Sequence, residues 1–76
     1  MRLRYLLDKL DTATYVTICE NSSNYKYSNI YTCVPKYQIE DPHILERKIL
    51  YMYPEMYYFT QREHELTLRI VLEGEL

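Results

Sequence analysis

Residues 14–34 read TYVTICENSSNYKYSNIYTCV. Val16 and Ile18 alternate with Tyr15, Thr17 and Cys19, and the β-branched and aromatic content suits a pleated strand. NSSN, at 21–24, is a run of turn formers, so the segment predicts a hairpin. On the returning strand, over 25–34, Tyr25, Tyr27, Asn29, Tyr31 and Cys33 alternate with Lys26, Ser28, Ile30, Thr32 and Val34. Directly opposed residues of a hairpin share a face. Burying Ile30 and Val34 with Val16 and Ile18 therefore calls for paired residue numbers that sum to an even value of about 46 or 48. Tyr15, Tyr25, Tyr27 and Tyr31 then share the opposite face.

Working outward, Leu3, Leu6, Leu7 and Leu10 fall at i, i+3, i+4 and i+7, which predicts an amphipathic helix over about residues 2–10. DTAT, at 11–14, ends it. Pro35 and Pro42 bracket a connection in which Asp41 caps a short helical turn, with Pro42 at its first position and Ile44 and Leu45 as apolar contacts. KILYMY, at 48–53, reads as a third strand with Leu50 and Met52 on the core side, Ile49, Tyr51 and Tyr53 on the other, and Pro54 as its stop. In ELTLRIVLE, at 65–73, Leu66, Leu68, Ile70 and Leu72 alternate with Thr67, Arg69, Val71 and Glu73. EMYYFTQREHE, between these strands, is either a long hairpin loop or a strand extension followed by a polar turn. The order is α-β-β-short α-β-β, an α+β fold with one N-terminal helix packed on a four-stranded, mostly antiparallel sheet. The expected core is Leu3, Leu6, Leu7, Leu10, Val16, Ile18, Ile30, Leu50, Met52, Leu68, Ile70 and Leu72.

With 76 residues the chain is a single domain, 1–76, near the lower size limit for a fold held by a hydrophobic core alone. A net charge of −2 is too even for general nucleic-acid binding, which needs a basic stripe to displace counterions. No apolar run reaches the ~18 residues of a membrane span. Asp8, Lys9 and Asp11 break the leader-like opening MRLRYLLDKLD, so the expected location is the cytoplasm, with Cys19 and Cys33 as reduced thiols.

Chemistry-bearing constellations are sparse. His43 with Glu46, or His64 with Glu63 and Glu65, lack the paired spacing of a zinc site, so no metal or other cofactor is expected. A cysteine–histidine pair would need a pocket that one helix on one sheet does not provide, and no Gly-rich loop is present, so the chain does not read as an enzyme. Aromatics on an open sheet can stack single-stranded bases, but such surfaces interleave cations, and the tyrosine strand offers only Lys26 and Lys36. Protein binding fits better. Tyrosine gives a large contact area at low entropy cost and keeps a polar tip. Tyr15, Tyr25, Tyr27, Tyr31, Tyr51 and Tyr53 would form a flat contact face for a host protein or a second copy. Met56, Tyr57, Tyr58 and Phe59 continue it beyond Pro54, either folding back over the sheet or forming an adhesive edge. The plainer alternative is that cross-strand tyrosines only stabilise an exposed face, at about 0.2–1 kcal/mol per pair.

LRYLLDKLDTATYVTICE, ILERKILYMYP and LTLRIVL together resemble short proteins encoded by phages and prophages of Gram-positive bacteria. The shared pattern is a Leu-rich first helix, Tyr15-Val16-Thr17-Ile18, Leu45-Glu46-Arg47-Lys48-Ile49, and an alternating last strand over Leu66 to Leu72. The resemblance implies a small modulator or inhibitor of host machinery, a class that includes anti-CRISPR proteins. The tyrosine-rich second strand and YPEMYYF depart from the pattern, so it assigns no residue roles.

Overall fold

A computed structural model describes residues 1–21 and 27–74, with the backbone alone at 21, 27 and 28. The elements are α1 (Leu3–Lys9), β1 (Tyr15–Asn21), β2 (Tyr27–Pro35), a 3-10 turn (Lys36–Gln38), α2 (Pro42–Leu45), β3 (Ile49–Tyr58) and β4 (His64–Leu72). The four strands form one sheet in the order β2-β1-β4-β3. The two hairpins, β1–β2 and β3–β4, are antiparallel, but their junction, β1 beside β4, is parallel. The sheet is therefore mixed, which corrects the mostly antiparallel expectation. Alternation alone is the same for either strand direction. What marks the parallel pair is burial on both faces, with Val16, Thr17, Ile18, Cys19, Ile70, Val71 and Leu72 all fully buried.

A parallel junction needs a long crossover. The chain leaves β2 at one end of the sheet, where the Lys36 N–H donates to the Thr14 carbonyl at 3.0 Å. It re-enters at the other, where the Glu73 N–H donates to the Lys48 carbonyl at 3.0 Å. Between these points the connection crosses the face that α1 also covers. Leu3, Leu6 and Leu7 of α1 and Ile39 of the connection join Val16, Ile18, Ile70 and Leu72 in one core, with Ile44 and Leu45 of α2 packed against it. Asp41 caps α2 as expected, its carboxylate accepting from the His43 N–H at 2.9 Å. The Lys36 ammonium donates to the carbonyls of Leu7, at 2.6 Å, and Leu10, closing the C-terminal end of α1. The Arg47 guanidinium ties the entry of β3 to Glu20, at 2.9 Å, and to the Glu73 carbonyl.

The hairpin register sums to 48 near the turn (Asn21↔Tyr27, Cys19↔Asn29) and to 50 at the open end (Val16↔Val34), with two irregularities between. These shifts bring Tyr31 opposite Ile18, where it packs against the core beside Ile30. Tyr31 therefore leaves the tyrosine face to which alternation assigned it. A further bulge, at Leu50, puts Ile49 against the core opposite Leu72, again reversing the expected side.

Two further expectations fail for one geometric reason. Leu50 and Met52 were expected in the core but are 44% and 47% exposed. The seven residues of α1 span ~10 Å, whereas the ten of β3 span ~33 Å. α1 meets β3 only at its entry, where an Arg2–Lys48 bridge holds it, and its leucines pack on Val16, Ile18, Ile70 and Leu72 of the two central strands, so the run of β3 beyond its entry has no helix over it. Pro54 does not stop β3 either, for the strand continues to Tyr58, paired with His64.

Candidate interaction surface

β1 pairs with β4 only from Leu68 to Leu72. The β3–β4 hairpin runs further, through Glu55↔Thr67, Met56↔Leu66, Tyr57↔Glu65 and Tyr58↔His64. Its outer half is a two-stranded arm with no strand beside β4 and no helix above it among the described residues. On the helix side the arm and its base present Met52, Met56, Tyr58 and Leu66, all exposed. The Tyr58 ring lies 5.5 Å from that of His64. On the opposite face Tyr51 and Tyr53 stack at 6.2 Å with an interplanar angle of 17°, both exposed. Half-buried Tyr57 meets Phe59 edge-on at 5.0 Å. At the base of the arm an open cleft of about 400 Å³ is lined by Ala13, Thr14, Tyr15, Pro54, Leu66 and Leu68.

Behind the tyrosine stack the sheet face is small and closed. Thr17, Cys19, Thr67 and Val71 point to it and are buried. The Arg69 guanidinium lies across this face, donating through Nε and Nη2 to the two Glu55 oxygens (3.2 Å for Nη2–Oε1) and through Nη1 to Asn29 Oδ1 at 3.2 Å. One cation in β4 thus joins the two outer strands. The hydrogen bond that Arg69 donates to Glu55 is the main reason the Arg69 pKa is raised further, ahead of the opposing effect of burial. Arg69 therefore serves as a structural tie.

The ten tyrosine, methionine and phenylalanine positions expected to make one contact face divide among several places. Tyr51, Tyr53, Met56, Tyr58 and Phe59 are exposed on β3 and its turn, and Tyr15 and Tyr57 are half-buried. Tyr31 faces the core. Tyr25 lies outside the described residues, and Tyr27 is described by its backbone pairing with Asn21 alone. The surface is thus the β3–β4 arm, with Leu50, Met52 and Leu66 added to it. The signal for these three was length, since one short helix cannot cover the full run of two long strands.

Of the groups considered for catalysis, Cys19 and His43 lie on opposite sides of the sheet. His43 lies on α2, on the helix side, while Cys19 points to the other face of the sheet and is buried. Burial, assisted by the nearby Glu65 charge, raises the Cys33 pKa. Among the described residues no group of three or more His, Cys, Asp or Glu is placed to hold a metal ion, and no helix is long and apolar enough to cross a membrane. No family model, curated protein or solved structure matches the chain.

Proposed function

We infer that this chain is a small protein-binding module whose contact surface is the β3–β4 arm. The observation that carries the reading is an arm apolar on both faces, with Met52, Met56, Tyr58 and Leu66 exposed on one side and Tyr51 and Tyr53 on the other. A stretch of this kind in a small soluble domain is a contact site or an aggregation hazard. Tyrosine and methionine are also the residue types enriched where proteins touch. The resemblance to short phage and prophage proteins supplies the rest of the proposal. The partner is a host protein in the bacterial cytoplasm, and the module acts by covering its surface, a CRISPR nuclease being one target class. No cofactor or chemical step belongs to this reading. Protein is favoured over single-stranded nucleic acid because Arg69, central on the tyrosine-bearing face, already donates to Glu55 and Asn29.

The test is capture from a lysate of a Gram-positive host, comparing wild type with Tyr53→Lys and Leu66→Lys, one on each face of the hairpin. Both side chains are exposed, so the fold should survive. A specific host protein, identified by mass spectrometry and reduced at least ~10-fold by the variants, is the expected result. Capture that ignores both substitutions, or a salt-sensitive shift of single-stranded DNA with no protein captured, would overturn the assignment.

A further inference from the structure

We propose that the free edge of β3 pairs with β3 of a second copy of this chain, antiparallel about a twofold axis, joining two four-stranded sheets into one. This rests on the arm being the interaction surface and names one partner for it. β3 is the last strand of the sheet order, and no described strand pairs with its outer side. The Phe59 N–H donates to the Glu63 carbonyl at 2.8 Å. With the unbroken register from Tyr51↔Val71 to Tyr58↔His64, Tyr51, Tyr53, Glu55 and Tyr57 therefore turn their backbone groups toward β4. Met52, Pro54, Met56 and Tyr58 turn theirs to the free edge. The start of the strand is already occupied, since the Ile49 N–H donates to the Met1 carbonyl at 2.8 Å and the Leu3 N–H to the Arg47 carbonyl at 2.9 Å. The open segment is thus 52–58, and its centre is Glu55.

Two properties bear on a second copy as the partner, the first favouring it over a charged, unlike one and the second setting the strength of the contact. The first is charge. Identical surfaces set each charge against its like, and Glu55, the only ionised side chain of β3, is bound by Arg69 of its own chain. A charged partner would find nothing complementary along this edge. The second is area. Within 52–58, Met52, Tyr53, Met56 and Tyr58 are each 39–62% exposed. At about half of roughly 150–200 Å² apiece these four side chains offer on the order of 300–400 Å². That is about half the ~800 Å² per partner of a standard interface, the scale of a weak, reversible association. Centred on Glu55, the pairing sets Met52 against Tyr58 of the second copy and Met56 against Pro54, with Tyr53 opposite Tyr57 on the other face. About six interchain N–H···O bonds form, because the two prolines have no N–H to give.

Sedimentation equilibrium between ~1 and ~200 μM, together with amide hydrogen exchange at both ends of that range, tests the proposal. The expected result is a reversible dimer in which the Met52, Met56 and Tyr58 amides become at least ~10-fold more protected at high concentration. Met56→Lys and Tyr58→Lys, with unchanged far-UV circular dichroism, should shift the midpoint at least ~10-fold upward. A wild-type chain that stays monomeric at ~200 μM would overturn the proposal, as would a dimer whose Met52, Met56 and Tyr58 amides gain no protection. A monomer that still captures a host protein through Tyr53 and Leu66 overturns self-pairing while leaving the binding-module reading in place. A dimer that captures nothing does the reverse.

Discussion

The Cys33 N–H donates to the Thr17 hydroxyl at 3.0 Å across the β1–β2 bulge, with Cys33 held in the left-handed region at φ 48°. The same Thr17 oxygen lies 3.1 Å from the Thr67 hydroxyl of β4. Both threonines are buried, so this short chain satisfies the backbone group that the bulge releases from the ladder. Thr17→Val keeps the shape and removes the acceptor. It should cost about 2 kcal/mol, as expected when a buried N–H and a buried hydroxyl lose their partner. For a domain of this size that is roughly a 10 °C fall in melting temperature. Adding Thr67→Val should cost little more, because the second hydroxyl has already lost its partner. A Thr17→Val melting point within about 2 °C of wild type would show that the bulge does not depend on the hydroxyl.

The two cysteines should respond differently to glycine. Cys33 occupies a left-handed conformation that favours glycine, whereas Cys19 is fully buried in β1 without a positive φ. Both changes remove a buried thiol, but Cys33→Gly also removes a backbone penalty of about 1 kcal/mol. Urea denaturation should therefore find Cys19→Gly the more damaging by ~1 kcal/mol or more. Equal losses would mean that the left-handed residue carries no penalty.

Much of this fold is legible in the residue pattern, and the failures share a cause. Leu3, Leu6 and Leu7 mark α1, Asp41-Pro42 marks the start of α2, and alternation marks β1, β2 and β4. What alternation cannot convey is an irregularity that inserts one residue. Such bulges carried Tyr31 and Ile49 to the opposite side from their expected one, because a slip of one residue reverses every side chain beyond it. The extent of a strand is equally hidden where a proline lies on its edge. Pro54 turns outward, where its missing N–H breaks no bond to β4, so β3 runs past it. The tyrosines and methionines were legible as a composition, but the surface they form depends on which part of the sheet α1 leaves uncovered.

The neutral Cys33 thiol gives a pH signature. Burial first, then the Glu65 charge, raises its pKa in the folded state. Around pH 7 the thiol is protonated in both folded and unfolded chains and makes no difference. Above about pH 8.5 the unfolded chain releases its proton first, so this group's contribution lowers stability as pH rises from there toward the folded pKa. Native Cys33 should also alkylate with iodoacetamide at pH 8 at least ~10-fold slower than in urea. Labelling followed by peptide mapping reads this directly, and equal rates would mean that the thiol is accessible in the fold.

Arg69 should matter to the sheet more than its place on a partly exposed face suggests. Its guanidinium is largely buried and engages β3 through Glu55 and β2 through Asn29. Arg69→Met leaves a half-buried carboxylate without its cation, at a cost of about 1–3 kcal/mol after allowing for its partial exposure. Glu55→Gln keeps an acceptor for Arg69 and should cost less. A double-mutant cycle measures the coupling, and an Arg69–Glu55 term under about 0.5 kcal/mol would show the pair to be screened like an ordinary surface bridge.

Pro54 sets the sharpest contrast at the free edge. Its backbone turns outward between Met52 and Met56, so replacing it disturbs no bond to β4 and supplies one new donor to whatever lies alongside. Pro54→Val also favours the extended backbone that β3 already adopts. If two copies pair through this edge, the twofold axis doubles the gain to two interchain hydrogen bonds at about 1 kcal/mol each, tightening dimerisation on the order of 30-fold. Sedimentation equilibrium of the variant beside wild type measures that shift. An unchanged association constant would mean that the edge of β3 takes no part in self-contact, and that Pro54 works there only as a guard against chance strand addition.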